Sequence, residues 1–315
     1  MFSSFKLPAS ESPWAVLYVV FGLLAFAIQD AVVKQLSVDY PVLQLLTVRG
    51  VVVFVSLGVL VFVVGGLPLF KSTRPSPMLL RGVFAFFAFT IYYLALSKIP
   101  FADGAAVYMT APLFVTALSI PLLGERVGIH RVLAVLTGFL AALVMINPGS
   151  TLFQPAAVLP LFSAMLYAFI PIINRHIGLS QHPLTMGFYT TASYLGLCIL
   201  AGLIVHSFEW SISEGSLFSN LFQPWLPMTT PALLLTALSG FFFVLGLLGL
   251  TQSYRLLPVS IVAPFEYSYL LWATLIGLIA FNEIPGPRTL LGGLVIILCG
   301  CYVAFREHQV TSDSA

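Results

Sequence analysis

The residues best suited to chemistry surround one carboxylate, Glu266, in the otherwise apolar stretch 262–272 (VAPFEYSYLLW). An ionisable group is costly in such surroundings and by default marks function. Tyr267 and Trp272 lie close to it in sequence, and aromatic faces beside a carboxylate suit an ammonium, a quaternary amine or a sulfonium through cation–π attraction. Tyrosines from other apolar segments could reach the same cavity: Tyr92, Tyr108 and Tyr167. We therefore predict a substrate-binding cluster of these six residues, with Glu266 holding the substrate cation or a coupling proton.

Two further charges, Asp30 and Arg49, also fall inside apolar segments. Both are predicted to lie at a similar depth in the membrane, on consecutive segments. They could therefore form a buried charge pair that braces or gates the outer side of the protein. Lys34 lies one helical turn after Asp30 and is a second candidate partner for it. Its long side chain could equally reach the polar end of the segment.

The composition identifies the elements that must hold these residues. Hydrophobic residues make up 59% of the chain and charged residues 8%, with a mean hydropathy of +1.04, far from the roughly 25% charge of soluble domains. We predict an all-α integral membrane protein in the lipid bilayer. A formal charge of +2 without a basic run excludes a nucleic-acid partner.

Apolar runs of about 20 residues, the length that spans a bilayer, are separated by proline, glycine and charged residues. Ten spans are predicted, at 14–36, 41–65, 77–98, 102–123, 129–147, 154–176, 183–206, 230–254, 258–281 and 287–305. The long connection 207–229 contains tryptophans and lacks Lys and Arg, which is typical of an amphipathic stretch at the interface. Nine Lys or Arg residues fall on one side and three on the other, which predicts that the N- and C-termini, with the tails 1–13 and 306–315, are cytoplasmic.

The chain repeats itself at an offset of 158 residues from the third span to the fifth. The offset pairs Gly82 with Gly240, Pro100 with Pro258, and Glu125 with Glu283. Five spans per half is an odd number, so the second half must enter the membrane inverted. This predicts two five-helix repeats, 14–147 and 154–305, as in many secondary transporters.

The repeat separates residues that occur in both halves of the chain from residues that occur in one half only. Glu125 and Glu283 occur in both halves beside turns, so we interpret them as structural residues that hold helix ends. Glu266 aligns with Tyr108 and has no acidic counterpart. A carboxylate found in one half only is better explained by a substrate path than by the scaffold.

Catalytic and metal-binding motifs are not apparent in the sequence. It contains no Walker A loop, H-E-x-x-H or G-x-S-x-G motif, and its histidines lie near loops or segment ends. The three cysteines are interpreted as packing residues. We therefore expect no enzyme activity, no cofactor and no metal.

Three motifs resemble the EamA-type members of the drug/metabolite transporter superfamily: APLFVTALSIPLLGERVGIHRVLAVLTGFLAALVMINP, its echo FNEIPGPRTLLGGLVII, and VRG in the second span. The resemblance covers about residues 14–305. It implies a central cavity lined mainly by spans 1, 3, 4, 6, 8 and 9. The arrangement PFEYSYLLWA looks closest to branches that include S-adenosylmethionine and carnitine-like carriers.

Together these features predict a secondary transporter in the bacterial inner (plasma) membrane that moves a small polar metabolite, cationic or zwitterionic, by alternating access. The alternative is a passive channel or facilitator for small solutes. Coupling to a proton stays open. A homodimer is also possible from the sequence, because stripes of small residues in the fifth and tenth spans allow close helix packing, either within one chain or between two chains.

Overall fold

The computed structural model describes residues 13–124, 128–147, 154–177, 181–207, 218–256, 262 and 265–313. Every regular element in these ranges is helical. Two short 3-10 helices, Leu67–Phe70 and Pro155–Val158, accompany eleven α-helices. In chain order these are α1 Pro13–Leu36, α2 Val42–Gly65, α3 Pro75–Leu96, α4 Phe101–Tyr108, α5 Ala111–Leu123, α6 Ile129–Ile146, α7 Leu159–Ile177, α8 Pro183–Ser207, α9 Thr230–Leu256, α10 Ser268–Phe281 and α11 Pro287–Asp313.

These helices coincide with the ten predicted spans. Seven helical segments in the described part of the chain are long and apolar enough to cross a membrane, one of them being α4 and α5 together. Three shorter apolar helices supply the fifth, ninth and tenth spans: Val132–Ile146, Ser268–Phe281 and Pro287–Tyr302. The prediction of an all-α membrane protein is confirmed.

Proline and left-handed residues set the helix ends. Proline occupies the first turn of several helices, where its missing N–H costs no hydrogen bond. Gly124 (φ 68°) ends α5 and Asn282 (φ 52°) ends α10, both in the left-handed conformation. Glycine and asparagine adopt this conformation at the least cost. These two positions are related by the sequence repeat, and each directly precedes one of the duplicated glutamates.

Glycines allow the closest helix contacts. A Cβ on Gly249 of α9 would lie 2.7 Å from the carbonyl oxygen of Tyr18 in α1, and one on Gly82 of α3 would lie 2.4 Å from that of Thr190 in α8. These distances leave no room for a methyl group. Close backbone approach of this kind is how membrane helices associate when hydrophobic burial gives no driving force.

The helices pack in a pattern that interleaves the two halves of the sequence. The main neighbours are α1 with α9, α3 with α7, α3 and α2 with α8, α2 with α9, and α6 with α11. Small residues predicted to serve packing are used inside the chain: Gly138 faces Leu113 and Cys299, and a Cβ on Gly300 would collide with Tyr267.

The segment predicted to lie at the interface, 207–229, falls partly outside the described residues. Residues 218–229 are irregular and tied to the turn between α1 and α2. Asn220 accepts a hydrogen bond from the Val42 N–H (2.7 Å) and donates one to the Ser37 carbonyl (2.6 Å). Gln44 exchanges two hydrogen bonds with the backbone of Leu226. This part of the connection is therefore docked on the bundle.

Candidate functional site

A buried polar cluster joins Asp30 of α1 to Arg49 of α2. Asp30 is 6% exposed and Arg49 is 2% exposed. The Arg49 guanidinium donates to the Gln29 side-chain oxygen at 2.7 Å and to the Tyr194 hydroxyl at 3.1 Å, and it also contacts the Tyr93 hydroxyl. The amide of Gln29 and the hydroxyl of Tyr93 both donate to the Asp30 carboxylate.

The two charges are therefore coupled through intermediates. In the described residues no contact within 4 Å joins the Asp30 carboxylate to the Arg49 guanidinium; Gln29 and Tyr93 bridge them instead. Tyr269 of α10 adds a hydrogen bond to Asp30 at 2.5 Å. Because its members come from α1, α2, α3, α8 and α10, the cluster connects both halves of the chain at one level of the bundle.

Aromatic rings enclose the Arg49 cation. Its guanidinium carbon lies 4.9 Å from the ring centroid of Tyr93, 5.3 Å from that of Phe243 and 5.9 Å from that of Phe89. All three distances are within the range of cation–π attraction. The surroundings thus compensate the buried charge without a direct carboxylate.

Lys34 pairs with Glu283 and not with Asp30. Its ammonium lies 3.0 Å from the Glu283 carboxylate and donates to the carbonyls of Ile99 (2.6 Å) and Leu96 (3.1 Å). The other Glu283 oxygen accepts a hydrogen bond from the Phe101 N–H at 2.6 Å. Glu283 therefore sits at the start of α4, where a carboxylate offsets the helix dipole. The duplicated Glu125 lies outside the described residues.

A chain of tyrosines leads away from Asp30 through the bundle. The hydroxyl of Tyr92 lies 2.9 Å from that of Tyr269, which binds Asp30. The ring centroids of Tyr92 and Tyr108 are 4.7 Å apart, and those of Tyr108 and Tyr167 are 5.7 Å apart. Three predicted site residues are thus brought together, and we call Tyr92, Tyr108 and Tyr167 the tyrosine track.

Glu266 lies at the far end of this track. It sits just before a turn at Tyr267 that precedes α10, and it is partly exposed. Its carboxylate accepts a hydrogen bond from the Tyr254 hydroxyl of α9 and lies within electrostatic range of Tyr167. The turn at Tyr108–Ala111, between α4 and α5, is the repeat-related position. Both residues of the aligned pair, Glu266 and Tyr108, therefore stand at breaks in their spans.

Two predicted site residues point elsewhere. Tyr267 is 5% exposed and packs with Ala141, Ala142 and Ile296, against α6 and α11. Trp272 donates its indole N–H to the Val20 carbonyl of α1 at 3.2 Å. Tyr267 follows Glu266 directly, but the turn directs its side chain away from the tyrosine track. The side chain packs against α6 and α11 instead.

Several residues of the site escaped the sequence analysis. Gln29 and Tyr194 are neutral, and a search for charges in apolar segments passes over them. Tyr254 is twelve residues from Glu266 and on another helix. Arg81 is one of the nine basic residues counted on the predicted cytoplasmic side, yet its Nε and Nη1 atoms are inaccessible and have no hydrogen-bond partner in the described residues. Its basic character inside the first turns of α3 was the available signal.

A separate polar pocket of about 220 Å³ lies where α4, α6 and α11 meet. Asp103, at its wall, accepts a hydrogen bond from Thr289 at 2.6 Å. In the described residues no three side chains among His, Cys, Asp and Glu converge as metal ligands would. The pocket lies near the start of α4 and the site around Glu266 lies past its end, so the two are distinct.

Comparisons with known proteins agree with this architecture. The model of the EamA-like transporter family matches residues 13–147. The chain is 24% identical over 299 residues to the S-adenosylmethionine uptake transporter of Rickettsia prowazekii, covering 95% of each chain. It is 28% identical over 297 residues to the riboflavin transporter of Vibrio cholerae, covering 93% of each. It is 26% identical over 296 residues to the pseudopaline exporter CntI of Pseudomonas aeruginosa, covering 93% of this chain and 96% of that one.

These relatives share a membrane-transport function and differ in what they carry. With its apolar helices, the chain is a multi-pass membrane transporter of the bacterial inner membrane. The family resemblance seen in the sequence is confirmed as a resemblance: the EamA-like transporter family model matches residues 13–147, and the relatives similar over nearly the whole chain are named transporters.

Proposed function

We propose that this protein is a secondary transporter that moves a small polar metabolite, cationic or zwitterionic, by alternating access. The observation that carries the proposal is Glu266. It is a partly exposed carboxylate at a helix break, and no cation of the described residues lies within 4 Å of it. Glu283 already has a cation directly, and Asp30 has one through bridging groups. Asp103 accepts a hydrogen bond from Thr289. Glu266 is therefore free of a protein cation and, beside the tyrosine track, is our candidate to bind a substrate cation or a coupling proton.

The tyrosine track supports a cation-binding role for this region. The ring centroid of Tyr167 lies 5.7 Å from that of Tyr108, and Tyr167 is within electrostatic range of Glu266. Aromatic faces attract ammonium and sulfonium groups, most strongly where water is excluded. One relative is named for S-adenosylmethionine, whose sulfonium is such a cation, and this is consistent with the same chemistry here.

Helix packing supports a mechanism in which two halves move. If spans 1–5 are exchanged with spans 6–10, the pair α1 with α9 becomes the pair α7 with α3, and both pairs are in contact. The pair α2 with α8 and the pair α6 with α11 each map onto themselves. Such interleaving is expected of an inverted repeat whose halves rock about a central site.

The Asp30–Arg49 cluster would act as a brace or gate on one side of that site. It is buried, whereas Glu266 and Tyr254 are accessible at the other end of the track. With the termini in the cytoplasm, as the Lys and Arg distribution predicts, the closed end is outer and the accessible end is cytoplasmic.

The test uses the purified protein with Glu266→Gln, and Glu283→Gln as the matched control. Ligands are first found by thermal shift, because a compound that binds the folded state raises its apparent stability. We expect Glu266→Gln to weaken binding of a cationic hit about tenfold or more. Glu283→Gln should lower stability and leave the affinity unchanged. Equal affinity and equal pH dependence in Glu266→Gln and wild type would show that the assignment is wrong.

A further inference from the structure

The polar pocket between α4, α6 and α11 lies at one face of the bundle, away from Glu266. α4 and α11 begin beside this pocket, and α6 ends beside it. All three of these helix ends fall on the outer side in the topology that the Lys and Arg distribution predicts. We call this cavity the outer pocket. Its volume of about 220 Å³ is below the roughly 300–1,000 Å³ of sites for drug-sized ligands, so a ligand that fits it must be small.

Side chains of both charge signs line the outer pocket. Its polar lining consists of one carboxylate, one guanidinium, one hydroxyl and two amides: Asp103, Arg288, Thr289, Asn147 and Gln154. The Thr289 hydroxyl donates to one oxygen of Asp103 at 2.6 Å. This hydrogen bond fixes the carboxylate on α4 against the first turn of α11, directly after Arg288 in the sequence.

The two charges of the outer pocket are not paired with each other. Among the described residues, neither Asp103 nor Arg288 has an oppositely charged side chain within 4 Å. The Arg288 side chain is exposed, and that of Asp103 is partly buried. An acid and a base that face one cavity without touching leave room for a ligand that contacts both.

The presence of both charges also selects among small ligands. A simple anion would gain from Arg288 but would be repelled by Asp103, and a simple cation would meet the reverse. A molecule that carries both charges gains from both residues at once. The first-turn N–H groups of α11 are the positive end of a helix dipole, so they favour an anionic group beside Arg288.

From this geometry we propose that the outer pocket binds a small zwitterion, at a site additional to the transport site. The cationic group of the ligand contacts Asp103. Its carboxylate contacts Arg288, whose planar fork donates two parallel hydrogen bonds to a carboxylate. The side-chain amides of Asn147 and Gln154 offer further donors and acceptors. The proposal does not depend on Glu266, because no residue of the tyrosine track lines the outer pocket.

The experiment measures ligand-induced thermal shifts of the full chain in detergent over a range of ligand concentrations. The probes are glycine, L-alanine, L-serine, L-proline and glycine betaine. Each is compared with an analogue that lacks the carboxylate: methylamine, ethylamine, ethanolamine, pyrrolidine and choline. We expect at least one zwitterion to bind about tenfold more tightly than its analogue. Arg288→Gln should remove that advantage. Asp103→Asn, whose amide oxygen can accept the same hydrogen bond from Thr289, should weaken zwitterion binding about tenfold.

Exposed charges at other turns of the predicted outer side provide matched controls. Lys98→Gln is the control for Arg288→Gln, and Asp39→Asn is the control for Asp103→Asn. Both controls should leave the affinities unchanged. Glu266→Gln should leave them unchanged too, because the outer pocket is separate from the transport site.

Each contrary result has a distinct meaning. A shift that is lost in Glu266→Gln and kept in Asp103→Asn would assign the zwitterion to the transport site; it would overturn the proposal and support the role of Glu266. Equal binding of zwitterions and amines, or no shift with any probe, would overturn the proposal and leave the role of Glu266 untouched. A lower Tm of ligand-free Arg288→Gln with unchanged zwitterion binding would show that Arg288 is structural and would also overturn it.

Discussion

Replacing Arg49 by methionine tests whether the buried cluster behaves as one charge-balanced unit. The change removes the guanidinium from Gln29, Tyr93 and Tyr194 and leaves the Asp30 carboxylate buried without its cation. Removing one member of a buried pair costs about 3–5 kcal/mol. Asp30→Asn removes the bridged carboxylate and leaves Arg49 with only its aromatic and neutral polar neighbours, although the introduced amide oxygen can still accept the hydrogen bond from Tyr269. We therefore expect both single variants to be destabilised.

The double variant Asp30→Asn/Arg49→Met distinguishes coupling from two separate losses. With both charges gone, neither is left buried alone, so the combined cost should fall short of the sum by about 0.5–3 kcal/mol. Equilibrium unfolding in mixed detergent micelles gives the four free energies. Arg49→Lys is the control, since it keeps the charge but lacks the fork that reaches both Gln29 and Tyr194. Additivity within about 0.5 kcal/mol would refute the idea that the bridged pair acts as a unit.

Two further predictions concern the scaffold. Gly82→Ala should destabilise the protein by about 1–3 kcal/mol, because the new methyl group meets the Thr190 carbonyl at 2.4 Å; Gly196→Ala, where no atom lies within 4 Å, should be neutral or stabilising by up to about 1 kcal/mol. Equal effects in thermal unfolding would contradict the tight crossing of α3 and α8. Glu283→Gln and Lys34→Met should each cost about 1–2 kcal/mol and be non-additive, because the pair is only slightly exposed; full additivity would argue against the ion pair.

Much of the architecture could be predicted because bilayer thickness fixes span length and because proline and glycine mark the ends. The positions of all ten spans follow from these two facts. The sequence repeat drew attention to Glu266, Tyr108 and Glu283, and the structure places the first two at helix breaks and the third at a helix start. The orientation of side chains at the helix breaks was harder to predict. Tyr267 lies in the turn before α10, so helical periodicity could not indicate which way its ring points.

The sequence could not indicate which side chains on distant helices contact each other. Lys34 is one turn from Asp30 in α1, but α4 and α10 bring Glu283 and two backbone carbonyls closer to it. Gln29 carries no charge, so nothing in the sequence indicated that it bridges Asp30 to Arg49. Arg81 counted toward the topology because it lies near a span end; that its Nε and Nη1 atoms are inaccessible follows from helix packing, which the sequence does not show.

Counterflow in proteoliposomes tests the central claim most directly. Vesicles containing the wild-type protein are preloaded with an unlabelled zwitterion that gives a thermal shift, and uptake of the same labelled compound is followed. A carrier that alternates between two states predicts faster uptake into preloaded vesicles, and Glu266→Gln should lose this acceleration. Uptake that is independent of preloading would indicate a passive channel, and unchanged acceleration in Glu266→Gln would contradict the role assigned to that carboxylate.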